Sequence, residues 1–156
     1  MIDELRAEAG IRQLHARYAD AVFRKDFDAF GNCFTEGAEW ILGPHRLHGR
    51  RECVAFLEDR IRDSHWVLLK FHTPILQIGE GSTQGRTYVT EQNAYKNAPA
   101  SHNVATYYER FAEQGGVWRR KWAFFQLHYM GPADLSGTFF SSTDYGPSPA
   151  MPTPEA

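Results

Sequence analysis

The chain's acid–base chemistry would come from a few side chains whose neighbours are apolar. His72 lies in "LLKFHTPIL", an alternating run that puts Pro74 and Leu76 on its side. Facing a cavity, its imidazole would serve as a general base near neutral pH; facing the core, it would be a hydrogen-bonded structural histidine. Tyr18 sits on the apolar stripe of an N-terminal helical pattern, where a phenol needs either a hydrogen-bond partner or a ligand. It would donate to a substrate carbonyl or a developing enolate. Glu91 and Asn93 share one side of a strand pattern: Asn93 would orient a ligand, and Glu91 would be an acid partner if it points inward. Trp40, Phe56, Tyr107, Trp122 and Phe124 suit either a plain core or the wall of a pocket for a flat ring, and aromatics make up 14% of the chain.

Other chemistries find no support. His45 and His48 stand near Glu52, but in a turn and short strand rather than on a helix, so no metal site is expected. No CxxC, HExxH, Walker or GxGxxG pattern occurs, and no cofactor is expected. No Gly-x-Ser-x-Gly elbow points to a serine hydrolase. Cys33 and Cys53 fall among apolar residues of helical segments and read as buried free thiols of a cytoplasmic protein. A net charge of −2 gives no reason to expect nucleic acid or a membrane surface as partner. No apolar run is long enough to span a bilayer, and "MIDELRAEAGIRQLH" is charged and amphipathic rather than leader-like.

The elements that must position these residues are legible in the periodicity. Leu5, Ile11, Leu14, Tyr18 and Val22 form a helical stripe, with Gly10 as a weak point. Asp26 caps a short second helix carrying Phe27, Phe30 and Phe34. "AEWIL" reads as a strand, and "RRECVAFLEDRIRDS" as a third helix. From Ser64 the period becomes two, through "WVLLKFHTPILQI", "GRTYVTEQNAYK", "HNVATYYERFAE" and "VWRRKWAFFQLHYM". Pro74 cannot donate to a ladder and predicts a bulge or bend. The fold class is therefore α+β: a curved antiparallel sheet with three N-terminal helices on its concave face, enclosing a pocket. Residues 1–135 form one domain. Residues 136–156 read as a Pro/Ser/Gly-rich tail whose last dozen residues are disordered, with Phe139 and Phe140 tying down its start.

This order of elements, with "YADAVFRKDFDAFGNCFTEGAEW" and "YYERFAEQGGVWRRKW", resembles the SnoaL-like branch of the nuclear transport factor 2-like superfamily, the α+β cones. That branch includes scytalone dehydratase, bile-acid dehydratase and the β-subunits of ring-hydroxylating dioxygenases. The resemblance spans roughly residues 5 to 130. It implies a cofactor-independent dehydratase-type lyase or an isomerase, acting on a small apolar cyclic ligand by His-centred acid–base chemistry. Alternatively it implies a non-catalytic binding or partner subunit. Tyr18 matches the first-helix tyrosine of the dehydratases, and His72 matches their strand histidine. Phe23 stands where several of them carry a carboxylate, and Asn93 where one has a second histidine. A homodimer or homotrimer is expected from the resemblance and from an open, aromatic sheet face.

Overall fold

The computed structural model describes residues 2–153. Helix α1 (Ile2–Arg24) runs without a break through Gly10 and is followed by α2 (Phe27–Gly31), β1 (Phe34–Leu42), β2 (His45–His48) and α3 (Arg50–Ile61). The rest is strand: β3 (Ser64–Phe71), β4 (Ile75–Gln77), β5 (Thr83–Tyr95), β6 (Ser101–Gln114), β7 (Val117–Gly131) and β8 (Thr138–Phe139). The hydrogen-bonded order is β2-β1-β7-β6-β5-β3, with β4 on β5 and β8 on β7. The sheet is mixed rather than wholly antiparallel, because β1 runs parallel to β7. Register shifts in β7 opposite Val104/Ala105 and Arg110/Phe111 bend the long strands. The resulting concave face is closed by α1 against β3 and β7 and by α3 against β1 and β2.

Local chemistry sets the turns. Lys25 takes a positive φ of 55° as α1 ends, and Asp26 accepts a hydrogen bond from the Ala29 amide at 3.0 Å, capping α2 as its position predicts. Pro74 divides the expected first long strand into β3 and β4, and both pair with β5. In β3 the buried row is Val67 and Leu69, continued by Phe71, which packs on Tyr18 and Tyr107. His72 therefore points the other way. Inverting this choice would expose three apolar side chains, each worth about 1.5–3 kcal/mol when buried, and turn Lys70 inward.

Two further expectations are corrected. Leu5 is exposed, so the stripe of α1 begins lower and runs Ala7, Ile11, Leu14, Tyr18 and Val22. The stretch from Tyr145 to Met151 does not trail away: Tyr145 and Met151 pack on an outer cluster of Ile41, Tyr108, Trp122 and Phe124. Trp122 and Phe124 thus lie on the far face of the sheet from the concave core. Arg86 Nη2 holds the segment by donating to the Gly146 carbonyl at 2.6 Å. Residues 154–156, the end of the expected tail, lie outside the described residues.

Gly10 is required by packing rather than by backbone conformation. A Cβ there would stand 2.2 Å from Cδ1 of Trp118, a ring carbon with little freedom to yield. Helix propensity alone would reward Gly10→Ala by about 1 kcal/mol. Overpacking typically costs about 1–3 kcal/mol. Gly10→Ala is expected to lower stability by up to about 2 kcal/mol in urea unfolding, and the sign is expected to reverse in a Trp118→Leu background.

Candidate functional site

The base of the cone is organised by one buried cation. Arg120 is 1% exposed, and its Nε donates to Glu109 Oε2 at 2.7 Å. The other oxygen of Glu109 lies 2.9 Å from His15 Nε2. The guanidinium carbon stands 4.4 Å from the ring centres of both Tyr18 and Tyr107, a cation held between two aromatic faces. Burial by itself would push the Glu109 carboxyl upward, but Arg120 and His15 prevail and hold it at about 2. Burial likewise works against charge on Arg120, and Glu109 more than compensates. His15 also stacks on Phe71, with ring centres 4.3 Å apart and planes 4° from parallel.

Above this base lies a chamber of about 180 Å³. Its apolar walls are Trp40 and Leu42 of β1, Phe56 and Leu57 of α3, Val67 and Leu69 of β3, and Phe125 and Leu127 of β7. The polar groups reaching it are Tyr18, Tyr107, Glu91, Asn93 and Asn103, with Tyr95 and Arg60 also on its lining. Glu91 and Asn93 alternate on β5 and face the same way, and Glu91 pairs in register with Asn103 of β6. No cation lies within 4.0 Å of Glu91 among the described residues. Burial therefore dominates, and its carboxyl is pushed up to about 7, with Arg60 only partly opposing. The Tyr18 and Tyr107 hydroxyls stand 3.4 Å apart. Burial raises Tyr18 well above 10 and Tyr107 to about 12, so both remain proton donors. The side-chain amide nitrogen of Asn93 and the indole nitrogen of Trp40 are buried without a hydrogen-bond partner.

Of the eight site residues expected from the sequence, Tyr18, Glu91, Asn93, Trp40, Phe56 and Tyr107 line this one chamber. His72 and Phe23 do not. His72 is exposed and borders a separate, open cleft of about 250 Å³ between α1 and the β3–β4 connection, lined by Arg12, His15, Ala16 and Ala19 of α1 and by Phe71, Thr73 and Pro74. The expected pairing of His72 with Tyr18 fails because the strand register turns Phe71 inward in its place. Phe23 is 43% exposed at the end of α1, its ring centre 6.0 Å from that of Trp66. Helical spacing places it one step past Val22, off the buried stripe. His48 donates its backbone amide to Glu52 at 2.7 Å, and no group of three potential ligands able to hold a metal occurs among the described residues.

Sequence reasoning missed the His15–Glu109–Arg120 set. The signal for His15 was present, since it falls four residues after Ile11 and three before Tyr18. Glu109 alternates with Tyr107 and Phe111, which marks the inner face of β6. Arg120 was hidden by the irregularity beside Lys121, which breaks the alternation of "VWRRKW".

A profile of the SnoaL-like domain matches residues 3–121. No curated protein sequence matches significantly. Solved structures share the fold. A hexachlorocyclohexane dehydrochlorinase, LinA type 2, superposes with a TM-score of 0.76 at 18% identity, over 90% of this chain and 97% of its own. A protein of Novosphingobium aromaticivorans provisionally assigned as a scytalone dehydratase gives 0.78 at 16% identity, over 97% and 100%. Another from the same organism, provisionally assigned as an aromatic ring hydroxylase, gives 0.73 at 23%, over 84% and 92%. No helix among the described residues is long and apolar enough to cross a membrane.

Removing the acid at the base strands a buried cation. Glu109→Gln is expected to cost about 3–5 kcal/mol in chemical denaturation. In the wild type, the Glu109 carboxyl is held below its usual 4.5. Its stabilisation is present in full above pH 4.5 and lost as pH falls through about 2. An acid titration of stability is expected to lose this limb in Glu109→Gln.

Proposed function

We propose that this chain, which belongs to the SnoaL-like domain family, is a cofactor-independent lyase or isomerase that moves a proton on a small, mostly apolar molecule. The observation that carries the reading is Glu91: a carboxyl among the apolar walls of the chamber, with no cation within 4.0 Å among the described residues and Arg60 only farther off at the lip, poised near 7. A general base works best when its pKa lies near the working pH. In this reading Glu91 takes a proton from a carbon beside a carbonyl, and the electron pair moves onto the oxygen. Asn93 Nδ2 and the hydroxyl of Tyr18 or Tyr107 donate to that oxygen as charge develops. The enolate then collapses in one of two ways. Reprotonation by Glu91 at another carbon gives an isomerase, and departure of a leaving group from the adjacent carbon gives a lyase. The acid–base group is thus Glu91 rather than His72, which lies outside the chamber. Arg120 and Glu109 do not touch the substrate; they hold the two phenols that do.

A second reading, a ligand-holding module without turnover, rests on Phe71, which takes the inward place on its strand while His72, the match to the dehydratases' strand histidine, faces away. Deuterium exchange at the α-carbon of single-ring ketones, followed by proton NMR in heavy water, separates the two. The proton-transfer reading expects exchange to fall by about 10²–10⁴-fold in Glu91→Gln and to stay unchanged in His72→Ala. Exchange that persists in Glu91→Gln, or that never exceeds the solvent rate, sinks it.

The same carboxyl has a stability signature. Its folded pKa of about 7 lies above the usual 4.5, so the folded state holds the proton more tightly. Its stabilisation is full below pH 4.5 and declines as pH rises through about 7, by up to about 3 kcal/mol. Glu91→Gln, which cannot ionise, is expected to be more stable than the wild type above pH 7 and to lack this decline in thermal unfolding.

A further inference from the structure

We propose that the chamber takes a single-ring carboxylic acid that also carries a carbonyl or hydroxyl oxygen, with Arg60 reading the carboxylate at the lip and Asn93 and Trp40 reading oxygens inside. The inference rests on the proton-transfer reading and assigns its substrate class.

Three independent observations converge on it. The first is size. A dry apolar cavity of about 150 Å³ holds one benzene ring. A chamber of about 180 Å³ matches one ring with a small substituent better than a fused polycyclic system. The second is a pair of unanswered donors. Asn93 and Trp40 are 7% and 3% exposed, and both the amide nitrogen and the indole nitrogen lack acceptors. A buried donor left unpaired costs about 1–3 kcal/mol, which a ligand presenting acceptor oxygens would recover. The third is charge. Arg60 of α3 lines the chamber with its guanidinium 5.5 Å from the Phe56 ring centre. It has no carboxylate within 4.0 Å among the described residues. Two other arginines of this helix and its C-cap are engaged: Arg62 with Asp59, and Arg50 with Glu36 and the Phe34 carbonyl. Arg60 is thus a cation at the lip of an apolar site, free to meet an anionic group.

A consequence for Glu91 follows. The titratable and charged groups around it are Arg60 from α3, Tyr95 on its own strand, Tyr107 from β6 and Tyr18 from α1. Arg60 is the one cation among them. An anion paired with Arg60 removes that cation's help from the ionised carboxylate and adds a like charge. Binding near pH 7 should therefore be accompanied by uptake of a fraction of a proton onto Glu91, and turnover of such an acid, which needs the ionised base, is expected to require a pH above about 7.

Isothermal titration of benzoate and of its neutral counterpart benzamide tests this, at pH 7 in two buffers of different ionisation enthalpy. The expected result is at least tenfold tighter binding of benzoate than of benzamide, with uptake of a fraction of a proton per benzoate bound. The benzoate-to-benzamide affinity ratio is expected to fall five- to tenfold in Arg60→Gln, and proton uptake to vanish in Glu91→Gln. Anthracene-9-carboxylate is expected not to bind. Equal affinity for the two probes, an unchanged ratio in Arg60→Gln, or no binding of either overturns the inference. If it falls while Glu91→Gln still abolishes α-carbon exchange, the carboxylate assignment alone is lost. If benzoate selectivity depends on Arg60 while exchange survives in Glu91→Gln, the ligand class stands and the proton-transfer reading is lost.

Discussion

The rest of the molecule is arranged around a guanidinium that water cannot reach. Taking an ion such as Arg120 out of water costs several kcal/mol even after relaxation, so its surroundings have to answer the charge, although its Nη1 keeps no hydrogen-bond partner. Glu109 supplies the countercharge, His15 completes the carboxylate's second oxygen, and two tyrosine faces supply the remaining field. These partners come from α1 and β6 while Arg120 itself lies on β7, so satisfying one charge docks the long helix on the sheet. Arg120's own backbone amide donates to the Cys33 carbonyl at 2.8 Å, which ties the start of β1 to the same point. The chamber above exists because its floor is held in this way.

Two glutamates on neighbouring strands show how environment decides chemistry. Glu109 and Glu91 both point into the concave side of the sheet. Glu109 meets a cation at hydrogen-bond distance and stays ionised far into acid. Glu91 meets aliphatic and aromatic walls and keeps its proton to about neutrality. The ionised one makes structure; the poised one can exchange a proton with a ligand. One fold thus holds the same side chain in two protonation regimes, separated by a single layer of tyrosine.

Much of this was legible in the residues. The change of period from 3.6 to two at Ser64 located the boundary between helices and meander. The alternation of Glu91 with Asn93 put both on one face, and the aromatic positions Trp40, Phe56 and Tyr107 reached the chamber together. What could not be read was phase. Around His72 both settings of the strand place some apolar residues inward, and only the packing of Phe71 against His15, Tyr18 and Tyr107 chooses between them. Charged residues in a core are also invisible to patterning, because polarity reads as surface. Arg120 sits among Arg119 and Lys121 in the chain, and its fate depends on a partner eleven residues away on a neighbouring strand.

The outer face of the sheet carries an aromatic cluster that a second chain would find attractive. Here its own chain has arrived first, through Tyr145, Met151 and the carbonyls held by Arg86. A tethered segment presents itself at an effective concentration on the order of millimolar, set by the tether and not by the amount of protein. Any copy or partner bidding for that face competes against this internal ligand. Assembly there is governed by the length and grip of some fifteen residues beyond β8 as much as by the complementarity of the face itself.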